Sequence, residues 1–204
     1  MAAACPAPPG DFASRTVPEH AINVAATALY RIHRSVYGAL FFNRRSTSTT
    51  VFRFDAAHDE FGVLYAAPSF AACMAETLIR DRFEGGSLPL TVDLSELACR
   101  SISSIGLATP RILRLADFTQ PLFGLGGNGQ IMTVPDYRVP NLWSSAVHAH
   151  PARFDGIYFR SRFAGACSVA LFDRVDLVLR DKPVPLLQYH ELGPFLDRYE
   201  IGIV

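Results

Sequence analysis

Five residues could do chemistry together: Arg31, Arg53, Tyr65, Glu76 and Ser161. Each interrupts an apolar or small-residue stretch. Arg31 lies inside LYRIHR, Arg53 between two phenylalanines in VFRFD, and Tyr65 near the end of GVLYA. Glu76 follows Ala72, Cys73 and Ala75, and Ser161 follows GIYFR, between Arg160 and Arg162. Guanidinium groups suit a pyrophosphate, because their forked N–H donors match its oxygens. A carboxylate can stabilise a developing ribosyl oxocarbenium ion or hold ribose hydroxyls. An aromatic face can stack on a nicotinamide ring. Taken singly, each residue also has a plain reading as an edge-strand charge, a snorkelling arginine or a core tyrosine.

Positioning them falls first to residues 61–82, FGVLYAAPSFAACMAETLIRDR, which read as a strand, a corner and an amphipathic helix. Ser69 offers an N-cap oxygen for a helix over 70–83. Arg80 and Arg82 suit its C-terminal dipole, and Gly85–Gly86 end it. On that helix Glu76 shares a face with Ala72, Cys73, Ile79 and Arg80. A glutamate there is costly unless it meets water, a partner or a ligand. The small residues Ala71, Ala72 and Ala75 let the helix approach the sheet. Glu76 is thereby expected near Arg31 and Ser161, with Tyr65 entering from the strand before the helix.

Further strands are predicted over 24–33, 51–55, 90–95, 156–161, 167–172 and 175–179, and β character over 186–192. Residues 99–118 are open between helix and strand. A helix is predicted over 140–148 and a short one over 193–200. Residues 119–136 carry Gly124, Gly126, Gly127 and Gly129, but lack the preceding strand and following helix of a dinucleotide fingerprint. Residues 1–20, rich in Ala and Pro, read as a flexible N-terminal arm, and residues 21–204 as one α+β domain of several short strands.

Composition narrows the function. The 204 residues are half hydrophobic and carry zero net charge, so phosphate neutralisation of a nucleic acid is not indicated. Lys182 is the one lysine, which fits a GC-rich genome or selection for bidentate phosphate binding. Cys5, Cys73, Cys99 and Cys167 form no CxxC pair and read as reduced thiols of a cytoplasmic protein. No secretory leader and no apolar run of membrane-spanning length is seen. His148 and His150 lack the companions of a metal set, and Cys73, one turn before Glu76, lacks a histidine partner and reads as core. There is no P-loop and no GxSxG elbow.

LYRIHR, FRFDAAHDEFGVLYAAPSFAACMAE and FDGIYFRSRFAGACSVALF together resemble a RES domain, over about residues 28–175. That domain is named for an arginine, a glutamate and a serine. Matched motif by motif, these are Arg31, Glu76 and Ser161, with Arg53 and Tyr65 matching the RF and LY elements. The resemblance implies an ADP-ribosyltransferase-like fold, a mixed or antiparallel β-sheet core with flanking helices. It implies a bacterial toxin that degrades NAD+ by hydrolysis or phosphorolysis of the nicotinamide–ribose bond. NAD+ would then be substrate, with water or inorganic phosphate as acceptor, and no cofactor is expected. Arg31 and Arg53 would hold the pyrophosphate, Tyr65 pack on the nicotinamide or its ribose, Glu76 stabilise the oxocarbenium-like transition state, and Ser161 hydrogen-bond the ribose or nicotinamide side. The implied partner is a cognate antitoxin with an Xre-like DNA-binding domain. ADP-ribosylation of a protein target is a second reading, and a catalytically idle nucleotide- or partner-binding module a third. The apolar, low-charge composition also fits a homodimer.

Overall fold

The computed structural model describes residues 4–80, 89–161 and 165–204. Eleven short strands form among these residues: β1 (Glu19–Asn23), β2 (Leu29–Arg34), β3 (Val63–Ala66), β4 (Thr91–Val92), β5 (Arg100–Leu107), β6 (Ile112–Asp117), β7 (Gly156–Arg160), β8 (Cys167–Phe172), β9 (Leu177–Leu179), β10 (Val184–Pro185) and β11 (Gly202–Ile203). One sheet has the order β1-β6-β7-β8-β3. A second has the order β10-β5-β2, with β9 also on β5, and β11 pairs β4 in a third. The β6–β7 and β4–β11 pairs are parallel and the others antiparallel. The first two sheets meet edge to edge at a bridge, where Tyr30 and Ala67 exchange backbone hydrogen bonds of 2.7 and 2.9 Å.

Alternation within β8 explains why CSVALF reads as continuously apolar. Ala170 and Phe172 face a cluster with Phe54, Phe61, Phe159 and Trp143, whereas Val169 and Leu171 face one with Leu29, Leu64, Ile105 and Leu115. A strand buried on both faces needs apolar residues at every position. Gly156 in β7 is required for a different reason: a Cβ there would lie 2.2 Å from the Ala170 carbonyl oxygen.

Helix α1 (Phe70–Met74) starts as expected, the Ser69 hydroxyl accepting from Ala72 N at 3.3 Å. It continues as a π-helical turn over Ala75–Ile79 rather than as regular α-helix. Its predicted end at Gly85–Gly86 lies outside the described residues. The remaining helices are α2 (Leu94–Ala98), α3 (Gln130–Thr133), α4 (Arg138–Ala149) and α5 (Leu192–Arg198). Helix α1 packs on β2 and β8 and joins Ile32, Leu97, Ile102 and Phe195 in a third cluster.

Several predicted strands are corrected. Residues 51–55 form a turn, because Asp55 Oδ2 captures Phe52 N at 2.7 Å; the alternating aromatics imitate a strand without pairing to one. Pairing over 90–95 stops at Val92, and Asp93 instead precedes α2. Residues 24–28 turn, the Asn23 side chain accepting from Ala25 N at 3.1 Å, and β2 starts at Leu29. Leu186–Gln188 is a 3₁₀ turn, and the pairing expected of 186–192 falls on Val184–Pro185. The ambiguous 99–118 stretch is two strands, β5 and β6. Residues 4–18 drape over α4: Trp143 Nε1 donates to Pro6 O at 2.7 Å and Phe12 meets the Trp143 ring edge-on. Among the described residues, no helix is long and apolar enough to cross a membrane.

Candidate active site

A cleft of about 770 Å³ opens over the seam between the two large sheets. Its floor is the face of the first sheet carrying Tyr65, Phe159 and Ser168. One wall is α1 and its π turn, presenting Ala72, Cys73, Glu76, Thr77 and Arg80. The opposite wall is the 47–53 loop with Phe52 and Arg53, and β2 supplies Arg31. Four of the five residues singled out from the sequence thus share one cleft: Arg31, Arg53, Tyr65 and Glu76. Ser161 directly follows β7 and is 2% exposed; its neighbour Arg160, not Ser161, is among the described lining residues. Arg162 lies outside the described residues.

The π turn determines what Glu76 shares its face with. A turn closed by i→i+5 bonds holds more residues than an α-turn, so each advances the chain by a smaller angle. Thr77 therefore comes round beside Glu76, while Ile79, expected on that face, turns away into the core. Glu76 is about a quarter exposed, and Arg80 Nη1 lies 3.9 Å from Glu76 Oε2. Arg80 also reaches over the Phe52 ring, 5.8 Å from its centroid.

Arg31 donates from Nη1 to the carbonyls of Ala39 and Phe41 at 3.2 and 2.7 Å. Burial pulls its guanidinium down to about 10, which leaves it cationic at neutral pH. Arg53 donates from Nη1 to the carbonyls of Ile131 and Val134 at 3.1 and 2.9 Å and lies over the Tyr137 ring. Its loop is fastened from α4: Asn141 Nδ2 donates to the carbonyls of Phe52 and Arg53, and Ser144 Oγ to that of Phe54. The Cys73 thiol donates to Tyr30 O, and burial pushes it up to about 12, which keeps it protonated at neutral pH. His148 stacks on Phe61, and burial brings it down to about 4. His150 pairs with Arg15 O.

Sequence reasoning missed Asp55. It is 1% exposed and accepts from Asn43 Nδ2 and Phe52 N at 2.7 Å each, and from the Tyr65 hydroxyl at 3.2 Å. That hydroxyl in turn accepts from Phe54 N at 2.8 Å. Asn43, Phe52 and Tyr65 all line the cleft, so one buried carboxylate sets its loop wall against its floor. Burial raises the Asp55 carboxyl to about 6, against the opposing pull of its hydrogen-bond donors and Arg45. Between about pH 4 and 6 the native state therefore holds a proton that the unfolded chain has released, and stability falls as pH rises through that window. Wild type is expected to lose melting temperature relative to Asp55→Asn from pH 4 to 6, with a flat difference above pH 7. A parallel course of the two proteins across that window excludes the raised carboxyl.

Charge in the cleft departs from the neutral total. Arg31, Arg34, Arg53, Arg80, Arg100 and Arg160 line it, against Glu76 as the one described carboxylate. Arg34 and Arg100, partners across β2 and β5, share Glu96 at 3.3 and 2.7 Å. Arg34 and Arg100 carry no motif that singles them out in the sequence, and Arg80 reads there as a helix-end charge. Among the described residues, the buried side-chain polar atoms with no hydrogen-bond partner are Arg100 Nε and Ser168 Oγ, and both residues line this cleft. No group of three or more His, Cys, Asp or Glu side chains able to hold a metal occurs among the described residues.

Known proteins resemble this chain. The RES domain model matches residues 28–191. Over 141 residues, 62% of this chain and 100% of the relative, the chain is 30% identical to "Probable toxin y4kH" of Sinorhizobium fredii. It is also similar to a chain in the crystal structure of the M. tuberculosis MbcT–MbcA toxin–antitoxin complex. There the TM-score is 0.62 at 18% identity, covering 90% of this chain and 94% of that one. The chain accordingly shares the fold of that neighbour, a mixed α+β core with flanking helices.

Proposed function

The chain belongs to the RES domain family, and from that premise we propose that it is a toxin of a toxin–antitoxin pair that cleaves the nicotinamide–ribose bond of NAD+. The observation that carries this reading is the convergence of Arg31, Arg53, Tyr65 and Glu76 on one cationic cleft with a single described carboxylate. Pockets of a few hundred to about 1,000 Å³ suit ligands of this size. The guanidinium groups of Arg31 and Arg53 bind the pyrophosphate. The Tyr65 ring packs against the nicotinamide or its ribose.

In the reaction, the bond between ribose C1′ and the pyridinium nitrogen breaks. Its electron pair leaves with the ring, which becomes neutral nicotinamide, so departure needs little general-acid help. Positive charge develops at C1′ and the ring oxygen of the ribose. Glu76 faces that charge and stabilises it. Ser161 steadies the ribose or nicotinamide side from the end of β7. Water then gives ADP-ribose and a proton; inorganic phosphate gives the 1-phosphate of ADP-ribose. The reaction takes place in the cytoplasm, and the partner is a cognate antitoxin of the Xre-like class.

Purified protein incubated with NAD+ is expected to release nicotinamide together with a soluble ADP-ribose product, whose mass with and without phosphate names the acceptor. Radiolabel from NAD+ appearing on protein would instead identify an ADP-ribosyltransferase. NAD+ binding without turnover by folded protein would identify a binding module.

A further inference from the structure

Ser168 belongs neither to the arginine–glutamate–serine set nor to any core cluster, and its hydroxyl stands out. It is 3% exposed, lines the cleft and pairs with nothing. A hydroxyl removed from water without a partner is costly, and native chains seldom keep one without a use. Backbone register shows what surrounds it. Across β7 its partner is Phe159, and two residues along β8 Ala170 faces Tyr65 on β3. Ser168 therefore stands on the same sheet face as two aromatic rings of the cleft floor. The Tyr65 hydroxyl is already engaged with Asp55 and Phe54 N, so it offers Ser168 nothing.

A ligand that suits this corner has a flat ring for the aromatic faces and a hydrogen-bonding substituent at its rim. A serine hydroxyl can both donate and accept, which matches a primary carboxamide, with its carbonyl oxygen and amide hydrogens. Resting on the reading of NAD+ as substrate, we infer that Ser168 Oγ binds the carboxamide of the nicotinamide ring. It positions the leaving group against the floor while the arginines hold the other end of the molecule.

Ser168→Ala separates this role from a structural one, because removing an unpaired buried hydroxyl does not weaken the fold. Its melting temperature is expected to equal or exceed the wild type's. Titration calorimetry with nicotinamide and with ADP-ribose is expected to show about tenfold weaker nicotinamide binding, the size of one lost hydrogen bond, and unchanged ADP-ribose binding. KM for NAD+ rises with it. Unchanged nicotinamide affinity in the variant overturns the inference alone, as does equal weakening of both ligands together with a lower melting temperature. Wild-type protein that neither binds nor consumes NAD+ overturns the proposed function, and this inference with it.

Discussion

Glu76→Ala is expected to consume NAD+ at about one hundredth of the wild-type rate or less while melting at the wild-type temperature. Losing one well-placed group that faces developing charge costs about 3 kcal/mol of transition-state stabilisation, a hundredfold in rate. The fold has little to lose. Glu76 is about a quarter exposed, and its ion pair with Arg80 is long at 3.9 Å. Such i,i+4 pairs contribute only about 0.3–0.5 kcal/mol, and alanine is the better helix former. Thermal melting and an NAD+ consumption assay on the same preparation check both halves. Wild-type consumption by folded Glu76→Ala would show that the carboxylate is not part of the chemistry.

The second large effect is on stability. Asp55→Ala is expected to lose about 3 kcal/mol or more, read as a shift of the urea midpoint at constant slope. The substitution removes the acceptor of three donors, Asn43 Nδ2, Phe52 N and the Tyr65 hydroxyl. At 1% exposure, water replaces it poorly. Activity falls as well, because Phe52 and Tyr65 lose their common anchor. Asp55→Asn keeps the shape and an acceptor oxygen, so its loss is expected to be well under half as large. A midpoint for Asp55→Ala within error of wild type would show that the loop wall is held by Asn141 and Ser144 alone.

What was legible in the sequence follows a physical line. Strands buried on both faces, such as β7 and β8, announce themselves through unbroken apolar runs. The Ser69 cap, the strand before it and the start of α1 depend on neighbours a few residues away, and these were readable. The turn at 51–55 was not, because the residue that makes it, Asp55, looks like the polar end of an aromatic strand. Its partners at 43 and 65 come from other segments. The π turn was hidden for a related reason: AETLI satisfies helical periodicity, and the widening appears only when the helix packs. Arg31, Arg53, Tyr65 and Glu76 could be named because a charge or a hydroxyl in an apolar stretch is conspicuous. Ser168 could not, since a serine among Cys167 and Val169 is unremarkable until its hydroxyl is seen to lack a partner.

The edge-to-edge bridge at Tyr30 and Ala67 has a consequence for turnover. Strand hydrogen bonding ties the two large sheets at that bridge, and the cleft lies over it with residues from both sides. On the proposed reading, an intact dinucleotide seated there acts as a second tie, its ring end on the floor of the first sheet and its pyrophosphate on Arg31 of the second sheet and Arg53 of the loop wall. Cleavage of the ribose–nicotinamide bond would cut that tie between its two anchors. The ring end and the pyrophosphate end would then be held separately, so the step that breaks the bond would also loosen the enzyme's hold on both products.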